Sequence, residues 1–197
     1  MKLHYMGKYN MDVNSLPCGE HKKNAVKFKE PDSMKKLAIV ANVISVFITL
    51  AFLGLVFWRF FEGFDFGFDD LGSLYIGLLL PLLTLFPHEI LHALCFKKDV
   101  YLYTNLKQGM MFVVGPEDMS KGRFVFMSLL PNIVFGFIPF VLGMSFSWLW
   151  AAVFGALAIG MGAGDYMNVF NALTQMPKGS RVYGHGMNSY WYMPSEQ

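Results

Sequence analysis

Four long apolar stretches constrain the fold of this chain more than any other feature of its sequence. They cover residues 38–58, 71–96, 124–146 and 148–176, and each is at least as long as the segment of roughly 20 mostly apolar residues that a helix needs to cross a bilayer. Only 15% of the residues are charged, against about 25% in soluble globular domains. The sequence therefore predicts an all-α membrane protein with about four transmembrane helices, and it excludes an intrinsically disordered chain.

Basic residues in the connections predict the orientation. Eight Lys precede the first stretch, five Lys or Arg lie in 97–123 and two follow residue 176, whereas the acidic connection 59–70 contains only Arg59. Because basic residues concentrate on the cytoplasmic side, we expect a multi-pass protein of the cell membrane with both termini in the cytoplasm. The aromatic segment 60–70 is then an interfacial loop on the outer side. A net charge of +2 argues against nucleic acid as a partner.

This pattern also suggests how the chain is divided. We expect a polar basic segment over 1–36, a membrane-embedded core over 37–176 and a cytoplasmic tail over 177–197. Residues 99–117 contain two runs rich in Val, Tyr and Phe, separated by a polar segment at 105–109. That arrangement favours a short cytoplasmic β-hairpin between the second and third helices, with an amphipathic loop as the alternative.

The sequence His-Glu-Ile-Leu-His at 88–92 is the most informative motif, because it lies inside the second apolar stretch. Residues His88 and His92 are one helical turn apart, so both imidazoles can reach one metal ion. Zn²⁺ binds neutral imidazole, and Glu89 between them can accept a proton from a water that the metal activates. Ionisable groups at membrane depth are costly and mark function by default. The motif therefore predicts a zinc site.

Asp165 is the predicted third zinc ligand, since it is the one other acid within the four stretches. It follows residue 148 by 17 positions, and His88 follows residue 71 by the same number. At 1.5 Å per residue both groups would lie about 26 Å along straight helices, in the cytoplasmic third of a core about 30 Å thick. Gly160 and Gly164 form a G-x-x-x-G pattern that lets helices approach closely.

Four further residues are weaker candidates. Asn168 follows Asp165 by three residues, and the sequence leaves open whether it orients that carboxylate or has no specific role. The sequence leaves three roles open for Asn132: substrate binding, lining a polar cavity, or an interhelical hydrogen bond. Cys95 lies seven residues after the first histidine on the same helix face, and His185 lies in the tail, so either is an alternative zinc ligand.

Two segments resemble a known class of enzymes. FPHEILHAL at 86–94 and GDYMN at 164–168 are similar to the site-2 protease type of intramembrane zinc peptidase, and in particular to small bacterial four-span zincin peptidases. The resemblance covers roughly residues 70–185 and implies that His88, His92 and Asp165 bind zinc and that Glu89 is the catalytic base. Site-2 proteases have Leu-Asp-Gly at the third ligand, whereas this chain has Gly-Asp-Tyr at 164–166.

The motif and the resemblance together predict a membrane-embedded zinc endopeptidase. Its partners would be the lipid bilayer and a membrane protein or peptide substrate, whose peptide bond is hydrolysed by zinc-activated water. Two other functions use the same metal site: a membrane hydrolase that does not act on peptides, and a zinc-binding scaffold or transporter subunit. The scaffold would need the ligands but not Glu89.

Overall fold

The computed structural model describes residues 1–31, 33–61, 67–105, 110–186 and 188–194. They form two compact units, and each combines segments that are distant in sequence. The first comprises Met1–Glu30, Glu89–Ser128 and Asn168–Gln197, and the second comprises Pro31–His88 and Leu129–Met167. The division at residues 36 and 176 that composition suggests remains a prediction about how the chain meets a membrane.

Helices make up most of the chain. A π-helical segment, Asn132–Phe137, joins the third helix to the fourth. Three continuous runs, Lys35–Phe60, Phe68–Leu94 and Lys121–Phe146, are long and apolar enough to cross a bilayer. The fifth and sixth helices qualify only as one span bent by 53°. The described residues therefore contain three candidate spans, or four if the bent pair is one. The helices are α1 (Met34–Phe60), α2 (Phe68–Leu94), α3 (Lys121–Pro131), α4 (Ile138–Phe146), α5 (Leu149–Met161) and α6 (Ala163–Gln175).

The expectation of a straight fourth helix over 148–176 is wrong. Helix α5 ends at Gly162, whose backbone leaves the helical conformation at φ −74° and ψ 12°, and α6 begins at the next residue. Glycine is a poor helix former, and a Cβ at this position would overlap the side chain of Asn132. The depth of Asp165 therefore cannot be counted along a straight helix, because this residue lies in the first turn of α6.

The π-helical segment follows from a proline. Pro139 has no N–H to donate, and its ring disfavours a regular α-helical turn before it. The N–H of Ile138 donates instead to the carbonyl of Ile133, five residues earlier. Such widened turns are frequent at functional sites. This one begins with Asn132, which is 1% exposed.

Small residues allow α5 to pack closely against its neighbouring helices in the second unit. A Cβ on Gly155 would overlap the backbone of Phe140, and one on Gly160 would overlap the side chain of Thr49 in α1. The surrounding core is apolar, and close backbone approach of this kind is how helices associate in lipid. The buried residues of this core are Val56, Phe140, Leu149, Ala152, Val153, Ala156 and Ile159.

The outer faces of α1 and α2 are apolar and exposed. Phe47 on α1 is 71% exposed and Leu83 on α2 is 72% exposed, and the most apolar windows of these two helices are only 6% and 11% buried. Exposed apolar surface on this scale is unfavourable in water and is typical of a membrane or protein contact. These faces are suited to lipid.

Two small sheets lie in the first unit. The strands, in chain order, are β1 (Leu3–Lys8), β2 (Val26–Lys27), β3 (Val100–Asn105), β4 (Met110–Val114), β5 (Met119–Ser120), β6 (Arg181–His185) and β7 (Asn188–Tyr192). The first sheet has the order β1-β3-β4 and the second has the order β2-β7-β6-β5. Strands β3 and β4 pair in antiparallel register, as the hairpin prediction requires. Residues 106–109 of its turn, and 62–66 of the predicted outer loop, lie outside the described residues.

The all-α prediction with a single hairpin is therefore incomplete. Strand β1, from the polar N-terminal segment, pairs in parallel with β3, and Leu3 lies opposite Val100. The C-terminal tail forms a second hairpin from β6 and β7. Local periodicity does not reveal pairing between such distant segments, and β2 and β5 have only two residues each.

A buried polar cluster fixes the C-terminal end of α2. Arg123 donates from Nε and Nη2 to the carbonyl of Cys95 at 2.8 and 2.6 Å, and from Nη1 to Glu117 at 2.6 Å. The other oxygen of Glu117 accepts the backbone N–H groups of Lys97 and Lys98 at 2.6 and 2.8 Å. Burial raises the pKa of Glu117, but these hydrogen bonds outweigh it and hold the pKa below the ordinary value. The cluster joins the end of α2 to the start of α3.

We predict that Glu117→Gln lowers the free energy of unfolding at neutral pH. The difference in this free energy between wild type and variant should become smaller as the pH falls. A carboxyl whose pKa is lowered by folding stabilises the fold above its unfolded pKa and loses this effect as pH falls through its folded pKa. Unfolding in detergent, followed by circular dichroism from about pH 7 to about pH 3, measures the difference.

The control is Glu20→Gln, which removes a carboxylate that pairs with Lys22 at the surface and should have little effect. An equal deficit for Glu117→Gln at every pH would show that the charge of Glu117 does not stabilise the cluster.

Candidate metal centre

Helix α2 carries the predicted metal-binding motif near its C-terminal end. The helix is continuous from Phe68 to Leu94 although it contains Pro81 and Pro87. One ligand atom each from His88, Glu89 and His92 lies within 4.8 Å of the others. This spacing follows from helical geometry, which places residues i and i+4 on one face. Within the described residues, this is the only group of three or more His, Cys, Asp or Glu side chains that close together.

The ring orientation of His92 is set by a backbone group. Its Nδ1 lies 2.9 Å from the carbonyl oxygen of Met127. A carbonyl only accepts hydrogen bonds, so Nδ1 carries a proton, and in the neutral ring Nε2 keeps the lone pair that a metal needs. Met127 belongs to a buried core with Phe28, Met176 and Val182, which holds this carbonyl in place. Histidine ligands of metals are commonly oriented in this way.

Asp165 lies against the first histidine of the motif. Its Oδ2 is 3.2 Å from Nε2 of His88, and the side chains are 14% and 21% exposed. The Nδ2 of Asn132 donates to the same Oδ2 at 2.7 Å. Asn132 therefore fixes the position of the carboxylate. The glycine at 162, which leaves room for the Asn132 side chain, permits this arrangement.

The donor atoms fit zinc. Imidazole nitrogens and a carboxylate oxygen are ordinary zinc ligands, and three protein ligands are typical of catalytic sites. Two ligand atoms at about 2.0–2.1 Å from a tetrahedral ion lie about 3.3 Å apart. The separation of 3.2 Å between the nitrogen of His88 and the oxygen of Asp165 is close to this value, and it is also an ordinary distance for a hydrogen bond or an ion pair.

The alternative ligands have other contacts. Cys95 donates from Sγ to the carbonyl of Leu91 at 3.5 Å, and Nδ1 of His185 donates to the carbonyl of Gly19 at 2.8 Å. Neither belongs to the group formed by His88, Glu89 and His92 in the described part of the chain. The same is true of Asp165, which contacts His88 of that group. Asn168 is half-buried on α6, one turn after Asp165.

Two features of this region are not evident from the sequence. The carbonyl of Met127 is a backbone group, so no residue type could have indicated it. The cluster of Glu117 and Arg123 has a weak signal, since both charges lie near the start of the third apolar stretch. For Asn132, three roles were open, and the structure contains a hydrogen bond between helices.

An H-E-x-x-H helix that presents two imidazoles and a glutamate to one point is the defining feature of the zincin class of metallopeptidases. The sequence model of the family described as "Putative zincin peptidase" matches residues 81–181, which is just over half of the chain. The chain belongs to this family. Comparison with curated proteins and with solved structures finds no significant match.

We predict that Asp165→Ala lowers zinc affinity by more than the roughly 10–100-fold that loss of an orienting partner costs. Asp165→Asn should also bind weakly, because an amide is a poor zinc ligand. His185→Ala and Cys95→Ala should retain zinc. Metal content after purification and competition with a chromogenic chelator measure the affinities, and circular dichroism checks that each variant is folded. Full zinc in Asp165→Ala together with loss in His185→Ala would assign the third ligand to the tail.

Proposed function

We propose that this chain is a membrane-embedded zinc endopeptidase of the site-2 protease type, which hydrolyses peptide bonds in membrane-associated proteins. The observation that carries the proposal is the contact between Asp165 and His88, because it places a carboxylate against the first histidine of an H-E-x-x-H helix. That helix is long and apolar enough to cross a bilayer. A zinc peptidase in such a helix would act on substrates within or next to the membrane.

A location in the cell membrane is supported by the exposed apolar faces of α1 and α2 and by an aromatic cluster. Phe146, Trp148 and Trp150 stack in series at the corner between α4 and α5. Arg59, at the end of α1, donates to Ser147 in the same corner at 2.8 Å. Aromatic residues of this kind are enriched at membrane–water interfaces. With the basic connections inside, this corner would face outward and both termini would lie in the cytoplasm.

His88, His92 and Asp165 would hold the zinc ion, and Glu89 would act as the base. When bound, zinc would supply Lewis acidity, which polarises the scissile carbonyl and lowers the pKa of water towards about 7. Glu89 would take a proton from the attacking water while the oxygen of that water bonds to the carbonyl carbon of the substrate. The same carboxyl then gives that proton to the leaving amine as the C–N bond breaks. Asn132 and the carbonyl of Met127 keep two of the ligands in position.

Strand β4 offers a way to present a substrate. It pairs with β3 on one edge, and among the described strands none pairs with its other edge. An extended peptide can add to such an edge through main-chain hydrogen bonds. A protease gains from this mode, because a helical substrate must be unwound before a peptide bond is accessible.

The test is Glu89→Gln, which keeps the side-chain size but removes the base. We expect zinc content to be retained and proteolysis to fall by at least the ~10²–10⁴-fold contributed by general acid–base catalysis. Membrane proteomes of cells that carry the wild type or the variant are compared for fragments that only the wild type produces. Glu20→Gln, the same change at an exposed position, is the control and should behave like the wild type.

Identical fragments from wild type and Glu89→Gln would contradict the proposal. If cells that carry Glu89→Gln lose a phenotype that the wild type supports, while the peptide fragments stay the same, a membrane hydrolase that acts on another substrate would be favoured. A phenotype that needs zinc but not Glu89 would favour a scaffold or transporter subunit.

A further inference from the structure

A cleft of about 520 Å³ opens in the first unit, among residues that the proposed catalysis does not use. Three basic residues line it, Lys121, Lys178 and Arg181. Apolar side chains also line it, including Val125 and Leu173. The lining contains no Asp or Glu, so the cleft is suited to a ligand with both an anionic and an apolar part.

The three cations are placed by different contacts. Lys121 donates from Nζ to the carbonyls of Met176 and Leu173, at 2.7 and 3.3 Å. These oxygens are neutral and leave the positive charge uncompensated. Arg181 pairs with Asp118, which stands just outside the lining. Lys178 is exposed. Even with that acid counted, the cations around the cleft outnumber the acids by three to one.

The apolar side of the cleft follows the beginning of a candidate membrane span. Lys121 is the first residue of the run Lys121–Phe146, and Val125 lies one turn further along it. Leu173 on α6 is 59% exposed. The cleft therefore has positive charge where the candidate span begins, and apolar surface along the first helical turn of that span. A bilayer has the same order, with headgroup phosphates at the surface and acyl chains below.

We propose that this cleft binds the headgroup phosphate of an anionic phospholipid, with the upper part of an acyl chain against Val125 and Leu173. Charge complementarity selects an anion, and the apolar wall selects a lipid over a free phosphate ion. Basic residues next to a membrane helix are the usual means of binding anionic lipids, and each contributes about 1 kcal/mol near the surface.

The proposal is tested on the full chain in neutral detergent by native mass spectrometry. Phosphatidylglycerol and phosphatidylcholine with the same acyl chains are the probes, and inorganic phosphate is the competitor. The variant is Lys178→Gln, because Lys121 also holds backbone carbonyls of α6 and its loss would disturb the fold. Lys23→Gln removes the same charge from an exposed position outside the cleft and is the matched control.

We expect the wild type to retain phosphatidylglycerol in preference to phosphatidylcholine. Lys178→Gln should bind it about fivefold more weakly, the equivalent of ~1 kcal/mol, while Lys23→Gln is unchanged and phosphate at millimolar concentration does not compete. Equal retention of the two lipids, or equal effects of the two variants, would overturn the proposal. Competition by phosphate as effective as that by phosphatidylglycerol would identify a free-anion site instead of a lipid site.

Discussion

The contact between the His88 imidazole and the Asp165 carboxylate is the interaction on which the proposed function of this protein depends. An ionisable side chain at membrane depth is costly, and in the proposed membrane location each of these two groups would have the other as a polar partner. Asn132 adds a hydrogen bond to the same carboxylate oxygen. The bend at Gly162 and the π-helical segment that begins at Asn132 are departures from regular helix, and both belong to this arrangement.

The second histidine is held by different means. The carbonyl of Met127 fixes the ring of His92, and Arg123 binds both the end of α2 and the buried carboxylate of Glu117. Polar groups in low-dielectric surroundings must be satisfied, since an unpaired one is destabilising. Near His92 this requirement is met by the carbonyls of Met127 and Cys95 and by the ion pair of Arg123 with Glu117. These contacts within the first unit hold the C-terminal end of α2.

Sequence reasoning succeeded where the signal is local. The pentad at 88–92 identifies its own helix face, and the alternating runs around 105–109 identify the hairpin. It failed where distant segments meet: β1 pairs with β3 across 97 positions, and no periodicity in residues 1–36 indicates that partner. The bend between α5 and α6 lies at Gly162, where a Cβ would overlap Asn132, and this packing between distant residues is not visible in the local pattern. Asp165 as third ligand remains a prediction: the structure places its carboxylate against His88, but the depth counted along a straight helix does not hold across the bend at Gly162.

The most direct measurement of the central claim is X-ray absorption at the zinc edge on the purified, zinc-loaded chain. We predict that only nitrogen and oxygen atoms surround the zinc, at about 2.0–2.2 Å, with the multiple-scattering signature of two imidazoles. That signature should fall to one imidazole in His88→Ala. A sulfur neighbour at about 2.3 Å, which would place Cys95 on the metal, or a third imidazole, which would bring in His185, would contradict the assignment of Asp165 as the ligand that completes the site.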